Sequence, residues 1–176
     1  MDVEREKTIE AVKLSLQMEI EGKQYYEEAA EKSTNSSGKW LFEWLAGEED
    51  KHRNRFEQIY DAIRNRKAWP KIKFEPGSNT RAKDAFLEAV RAIGMQIKNT
   101  ENELDIIDRA MQLEDKTYKY YRERNASTMH KAEKSFYESI AAEERGHYLA
   151  LVGYREYIID PSGFFTKEER HGLDGA

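Results

Sequence analysis

The chain has no cysteine, which excludes disulfides, zinc–thiolate sites and iron–sulfur clusters built from its own side chains. Proline is scarce, with three residues in 176, and half of the ten glycines lie from position 146 onward. So few breakers leave room for long uninterrupted helices. No apolar run approaches the length that spans a bilayer, and Met1-Asp2-Val3-Glu4-Arg5-Glu6 lacks the apolar core of a signal peptide. A soluble, cytoplasmic protein that does not engage membranes is expected. Charge of one sign is missing too. The net charge is −5 with acids and bases interspersed, so there is no basic face for nucleic acid.

What is present is a very polar chain, 36% charged and 39% hydrophobic, long enough for one domain with a sizeable core. That balance suits amphipathic helices with solvated outer faces. An internal repeat organises them. Glu49-Asp50-Lys51-His52 returns 95 residues later as Glu144-Arg145-Gly146-His147. The same shift carries Glu19 onto Glu114, Tyr25-Tyr26 onto Tyr120-Tyr121, Ala46 onto Ala141 and Glu48 onto Glu143. Each Glu-x-x-His thus has a glutamate 30 residues upstream. The chain reads as two copies of one helical hairpin.

Apolar residues at steps of three and four place helices at about 4–32, 39–66, 100–125 and 128–159. The second stripe, Leu41, Leu45, Glu49, His52, Phe56, Ile59, Ile63, maps without insertion onto Phe136, Ile140, Glu144, His147, Leu151, Tyr154, Ile158. Glu48 falls off the stripe, so Glu49 is the inward carboxylate; Glu48 and Glu143 are left to support a ligand or face solvent. Thr100 with Glu103 has the spacing of a capping box. Residues 67–99, with Pro70, Pro76, Gly77 and a short amphipathic helix at 80–93, form a long crossover. The second helix is roughly 40 Å long at 1.5 Å per residue, and such a connection can travel back along it. The expected fold is all-α: a four-helix bundle over 1–159, made of two pseudo-symmetric hairpins, with a short tail at 160–176. Phe164 and Phe165 would pin that tail to the bundle or to a second subunit.

A carboxylate inside an apolar stripe costs several kcal/mol unless it is paired, protonated or bound to metal. Four such helices bring Glu19, Glu49, Glu114 and Glu144, with His52 and His147, to one level of the core. Two divalent ions would neutralise four carboxylates, and neutral imidazoles would complete the coordination. Oxygen-rich ligation with one histidine per ion suits iron or manganese better than structural zinc. Tyr26 and Tyr121 carry two readings: core aromatics with a satisfied hydroxyl, or donors to a ligand carboxylate across the bundle. His130 and His171 are read as surface residues.

Met18-Glu19-Ile20-Glu21-Gly22 leading to Tyr25-Tyr26, and Leu45-Ala46-Gly47-Glu48-Glu49 leading to His52, resemble with their second copies the rubrerythrin-like branch of the ferritin-like superfamily. The ending Gly172-Leu173-Asp174-Gly175-Ala176 is similar to tails in that branch. The resemblance implies a ferritin-like fold with a dinuclear iron site. Glu49 and Glu144 would bridge the ions as the catalytic carboxylates, Glu19 and His52 would complete one, and Glu114 and His147 the other. Rubrerythrins proper also carry a rubredoxin-type site of four cysteines, which this chain lacks. Many have a further ligand carboxylate one turn before the third-helix glutamate, where Met111 stands here. Six ligands with two-fold symmetry are closer to the bacterioferritin pattern.

The function expected on this basis is reduction of hydrogen peroxide, or of dioxygen, with electrons from a separate donor such as rubredoxin, in a homodimer. Alternatives are a ferroxidase or iron-handling protein, and a manganese catalase-like protein holding manganese or mixed metals. A metal-free helical interaction module would have to satisfy four inward carboxylates by hydrogen bonds alone.

Overall fold

The computed structural model describes residues 2–75, 77–94 and 97–173. It contains helices α1 (Asp2–Lys32), α2 (Ser36–Arg64), α3 (Ser78–Ile93), α4 (Thr100–Ser127), α5 (Lys131–Ile159) and α6 (Pro161–Leu173), with no strand among the described residues. α1 packs along α2 and α4 along α5, which gives the two expected hairpins. α3 belongs to the crossover and lies against α5 and α2. The whole is a ferritin-like helical bundle. Among the described residues no helix is long and apolar enough to cross a membrane.

The apolar stripes meet in two cores. One holds Phe42, Leu45, Ile107, Leu151 and Tyr154; the other holds Val12, Phe56, Ile59, Phe136 and Ile140. The glutamates and histidines of the repeat sit between them in sequence along α1, α2, α4 and α5. At about 25 cal/mol per Å² of apolar surface, these cores supply the hydrophobic drive that offsets burying a polar layer.

Three local expectations are corrected. Thr100 and Glu103 form no capping box, since α4 begins after Asn99 in a left-handed conformation (φ 49°) with no side-chain cap. Glu103 is instead fully buried, and its Oε1 accepts hydrogen bonds from Ser33 Oγ and Tyr154 Oη, both at 2.6 Å. Gly38 permits this junction, because a Cβ there would overlap Tyr154 Oη and Glu103 Oε1. Second, the turn at 33–38 is shorter than expected, with α2 starting at Ser36.

Third, the short tail expected at 160–176 contains a helix over 161–173. Asp160 Oδ1 accepts the Gly163 N–H at 3.0 Å, and Pro161 occupies the first helical position, where a missing N–H costs nothing. Phe164 is buried on the bundle, with its ring 6.2 Å from Phe86 and 5.7 Å from Tyr157. Pro76, the His171 side chain and residues 174–176 lie outside the described residues. His130 is exposed at the start of α5.

Candidate metal centre

All six stripe residues are buried, none more than 4% exposed. Glu19 comes from α1, Glu49 and His52 from α2, Glu114 from α4, and Glu144 and His147 from α5. Their ligand atoms fall into two groups: Glu19, Glu49, His52 and Glu144, and then Glu49, Glu114, Glu144 and His147. Within each group one ligand atom per residue lies within 4.8 Å of the others. Glu49 and Glu144 belong to both groups. The two imidazoles are stacked, with centroids 5.4 Å apart and planes 17° from parallel.

His52 Nδ1 lies 2.9 Å from Glu144 Oε1, 3.3 Å from Glu19 Oε2 and 3.9 Å from Glu49 Oε2. His147 Nδ1 lies 3.4 Å from Glu49 Oε1, 3.7 Å from Glu114 Oε2 and 3.8 Å from Glu144 Oε2. None of these approaches has the alignment of a hydrogen bond. Glu19 Oε2, Glu49 Oε1, Glu114 Oε2, Glu144 Oε1 and both Nδ1 atoms are buried without a hydrogen-bond partner. Orphaned buried polar atoms cost roughly 1–3 kcal/mol each and are rare singly. Six of them converging on one level, with four carboxylates and two imidazoles as donors, fit a dinuclear metal site.

The electrostatics of the protein atoms have the same sense. Burial, with Glu144 and Glu19 alongside, pushes the Glu49 carboxyl well above the usual carboxylate range. Burial and Glu144 push Glu114 up to about 8. Burial would also raise Glu144, but the His52 and His147 imidazoles outweigh it and hold that carboxyl below its ordinary value. Burial would lower both histidines, yet neighbouring carboxylates, Glu144 for His52 and Glu114 for His147, raise them well above theirs. Without metal, the cluster holds itself together by taking up protons. Cations would replace those protons, which is how metal binding couples to pH.

Tyr26 Oη donates to Glu114 Oε1 and Tyr121 Oη to Glu19 Oε1. Each hairpin therefore supplies the hydroxyl that fixes the other hairpin's terminal glutamate. Burial, reinforced by those same carboxylates, raises both phenols well above their ordinary value, so they remain donors.

Behind this layer lie residues whose partners sequence reasoning did not identify. His52 Nε2 is 2.9 Å from Glu143 Oε2, and Arg55 pairs with the same carboxylate. An ionised carboxylate can only accept, so Nε2 donates to Glu143, and Nδ1 is the nitrogen that would take a metal ion once a proton there is displaced. Glu48 is buried as well, but it lies outside both ligand groups and faces Lys51 and Arg81 of α3. Burial opposes the ionisation of Glu48, and the Lys51 and Arg81 cations outweigh it and lower its carboxyl. Trp44 sets its ring edge-on to His147 at 6.0 Å. The recurrence of Glu48 and Glu143 in the repeat was the signal for this layer.

The rubrerythrin family model matches residues 10–153, which takes in most of each of the four bundle helices and every residue of the cluster. The chain belongs to the rubrerythrin family. The match to that family ends before α6. A hypothetical protein from Pyrococcus furiosus is similar in structure, with a TM-score of 0.64 and 22% identity over 86% of this chain and 90% of that one. At that identity the likeness speaks for the fold alone. No curated protein matches the chain. Membership of the rubrerythrin family and the buried carboxylate–histidine cluster together are compatible with a diiron site. No rubredoxin domain is evident, in keeping with the absence of cysteine.

Proposed function

We propose that this protein is a dinuclear iron oxidoreductase that reduces hydrogen peroxide. The observation that carries the reading is the convergence of six buried, partnerless ligand atoms in two groups sharing Glu49 and Glu144. Two ferrous ions bound there would supply one electron each, so that with two protons the O–O bond of peroxide breaks and two waters form.

The chain's own residues do the positioning. Glu49 and Glu144 span both groups and would bridge the ions. Glu19 with His52, and Glu114 with His147, would complete one ion each. Tyr26 and Tyr121 hold the outer glutamates against rotation, and Glu143 fixes the His52 tautomer. The apolar cores along the helices on both sides limit water at the centre. With no cysteine for an iron–sulfur relay, the electrons would be restored by a separate donor protein of the rubredoxin kind. A homodimer in the cytoplasm is the setting we assign.

The test is anaerobic reconstitution of the apo protein with ferrous iron. About two irons per chain, oxidised faster by hydrogen peroxide than by dioxygen, is the expected result. Faster oxidation by dioxygen with iron uptake far beyond two per chain would replace this reading with iron handling. Preferential retention of manganese would replace it with catalase-like chemistry.

A further inference from the structure

A recess opens between α1 and α4 and leads to the cluster. Its rim carries exposed Glu21 and Lys116, its walls are the partly buried Met18, Gly22, Leu113 and Thr117, and buried Glu49, Glu114 and Glu144 form its floor. The 95-residue shift pairs most of the lining, Met18 with Leu113, Glu21 with Lys116, Gly22 with Thr117 and Glu49 with Glu144, while Tyr26 and Glu114 line it without their counterparts Tyr121 and Glu19. The recess therefore lies beside the pseudo-two-fold axis that relates the hairpins, on the Glu114 side, and it reaches Glu49 and Glu144, the two carboxylates that both ligand groups share.

Its free volume is about 20 Å³ for the centre of a water-sized molecule, room for one such molecule. Gly22 sets that limit on one side, since a Cβ there would stand 3.3 Å from Glu49 Oε2. Thr117, its counterpart, already carries a side chain. Only one of the two symmetric positions is left bare.

We propose that this recess is the oxidant's inlet, that Gly22 keeps it open, and that Met18 and Leu113 set its width, so that hydrogen peroxide and dioxygen pass while hydroperoxides bearing a carbon skeleton do not. The inference rests on the diiron reading above. An oxidant arriving by this route would reach Glu49 and Glu144, the two carboxylates that would hold both ions. Hydrogen peroxide then leaves as two waters, whereas an organic hydroperoxide would have to leave as water and an alcohol too large for the recess.

The test separates binding from turnover. Apo protein is loaded with cobalt(II), and azide binding is followed by stopped-flow through the cobalt absorption band. Gly22→Val should retain cobalt and slow azide binding by about tenfold or more, the scale on which a few methylenes discriminate in a tight site. In the iron-loaded protein, Leu113→Ala should raise the rate with cumene hydroperoxide, relative to that with hydrogen peroxide, by about tenfold. It widens the wall without touching a ligand.

If the protein takes up no cobalt, the metal reading itself fails and the inlet with it. If it takes up two cobalt ions but azide binds Gly22→Val as fast as wild type, the inlet alone is overturned. It is overturned equally if wild type accepts cumene hydroperoxide as readily as Leu113→Ala does.

Discussion

The surroundings of His52 and of His147 are the same molecule drawn twice, and then not the same. In the inner layer the 95-residue shift maps one set onto the other: Glu19 to Glu114, Tyr121 to Tyr26, and the shared Glu49 and Glu144 onto each other. One layer out, the correspondence stops. Glu143 crosses from α5 to meet His52 and Arg55 of α2. Its counterpart Glu48 meets Lys51 of its own helix and Arg81 of α3. Where Arg55 would recur stands Ala150, and where Lys51 would recur stands Gly146. The reason is topological. A crossover occurs once in the chain, so its helix can flank only one half of a two-fold arrangement. Coordination chemistry constrains the inner layer to match, while the outer layer only has to neutralise a buried carboxylate by whatever cation is near.

The strongest way to break the comparison is at the shared carboxylates. Glu49→Ala or Glu144→Ala should abolish binding of both ions, because each serves both groups, whereas Glu19→Ala or Glu114→Ala should leave about one ion per chain. Equilibrium dialysis against ferrous iron or cobalt(II) distinguishes the two patterns. Equal loss in all four variants would mean that the terminal and shared roles are misassigned.

Next in size is the outer layer. Arg55 is 17% exposed and its partner Glu143 3%, so Arg55→Ala removes a buried cation that Glu143 shares with His52 and should destabilise by about 2 kcal/mol. Arg81 is 36% exposed and Glu48 keeps Lys51, so Arg81→Ala should cost about 1 kcal/mol or less. Urea melts of the two variants check this ordering. Only Arg55→Ala should also weaken metal binding, through a loosened His52.

A different handle is pH, and it sharpens the contrast between apo and loaded protein. In the apo form Glu114 is raised to about 8, so the folded state holds a proton that the unfolded chain releases. That stabilisation is lost as pH rises from the unfolded carboxylate range through about 8. The raised histidines act in the same direction, contributing fully below their unfolded value and less as pH climbs through the folded one. Metal ligation requires deprotonated groups and strengthens with rising pH. Apo Tm should therefore fall and loaded Tm rise between about pH 5.5 and 8, widening the gap between two calorimetric scans.

The inner layer was legible in the sequence because its physics is periodic. A glutamate inside an apolar stripe, an Glu-x-x-His on one face and a fixed shift each leave a mark at constant spacing. Glu103 shows where that legibility ends. Its spacing from Thr100 suits a cap, but burial beside Ser33 and Tyr154 gives its carboxylate better donors, and only tertiary packing brings those together. Arg55 and Arg81 escaped for the same reason, since charged residues on helix faces look alike until the neighbouring element is in place. α6 is legible as well, because Asp160-Pro161 is a helix-start pair as much as a helix end.

The exchange of hydroxyls between hairpins has a consequence for how the protein is made. During translation α1 and α2 leave the ribosome first, carrying Glu19, Glu49 and His52 into water. Tyr121, which fixes Glu19, and Glu143, which orients His52, are still to be synthesised. A nascent first hairpin thus presents only part of each candidate ligand group. Any ion the cluster takes up should be held firmly only once α5 arrives with Glu144 and His147.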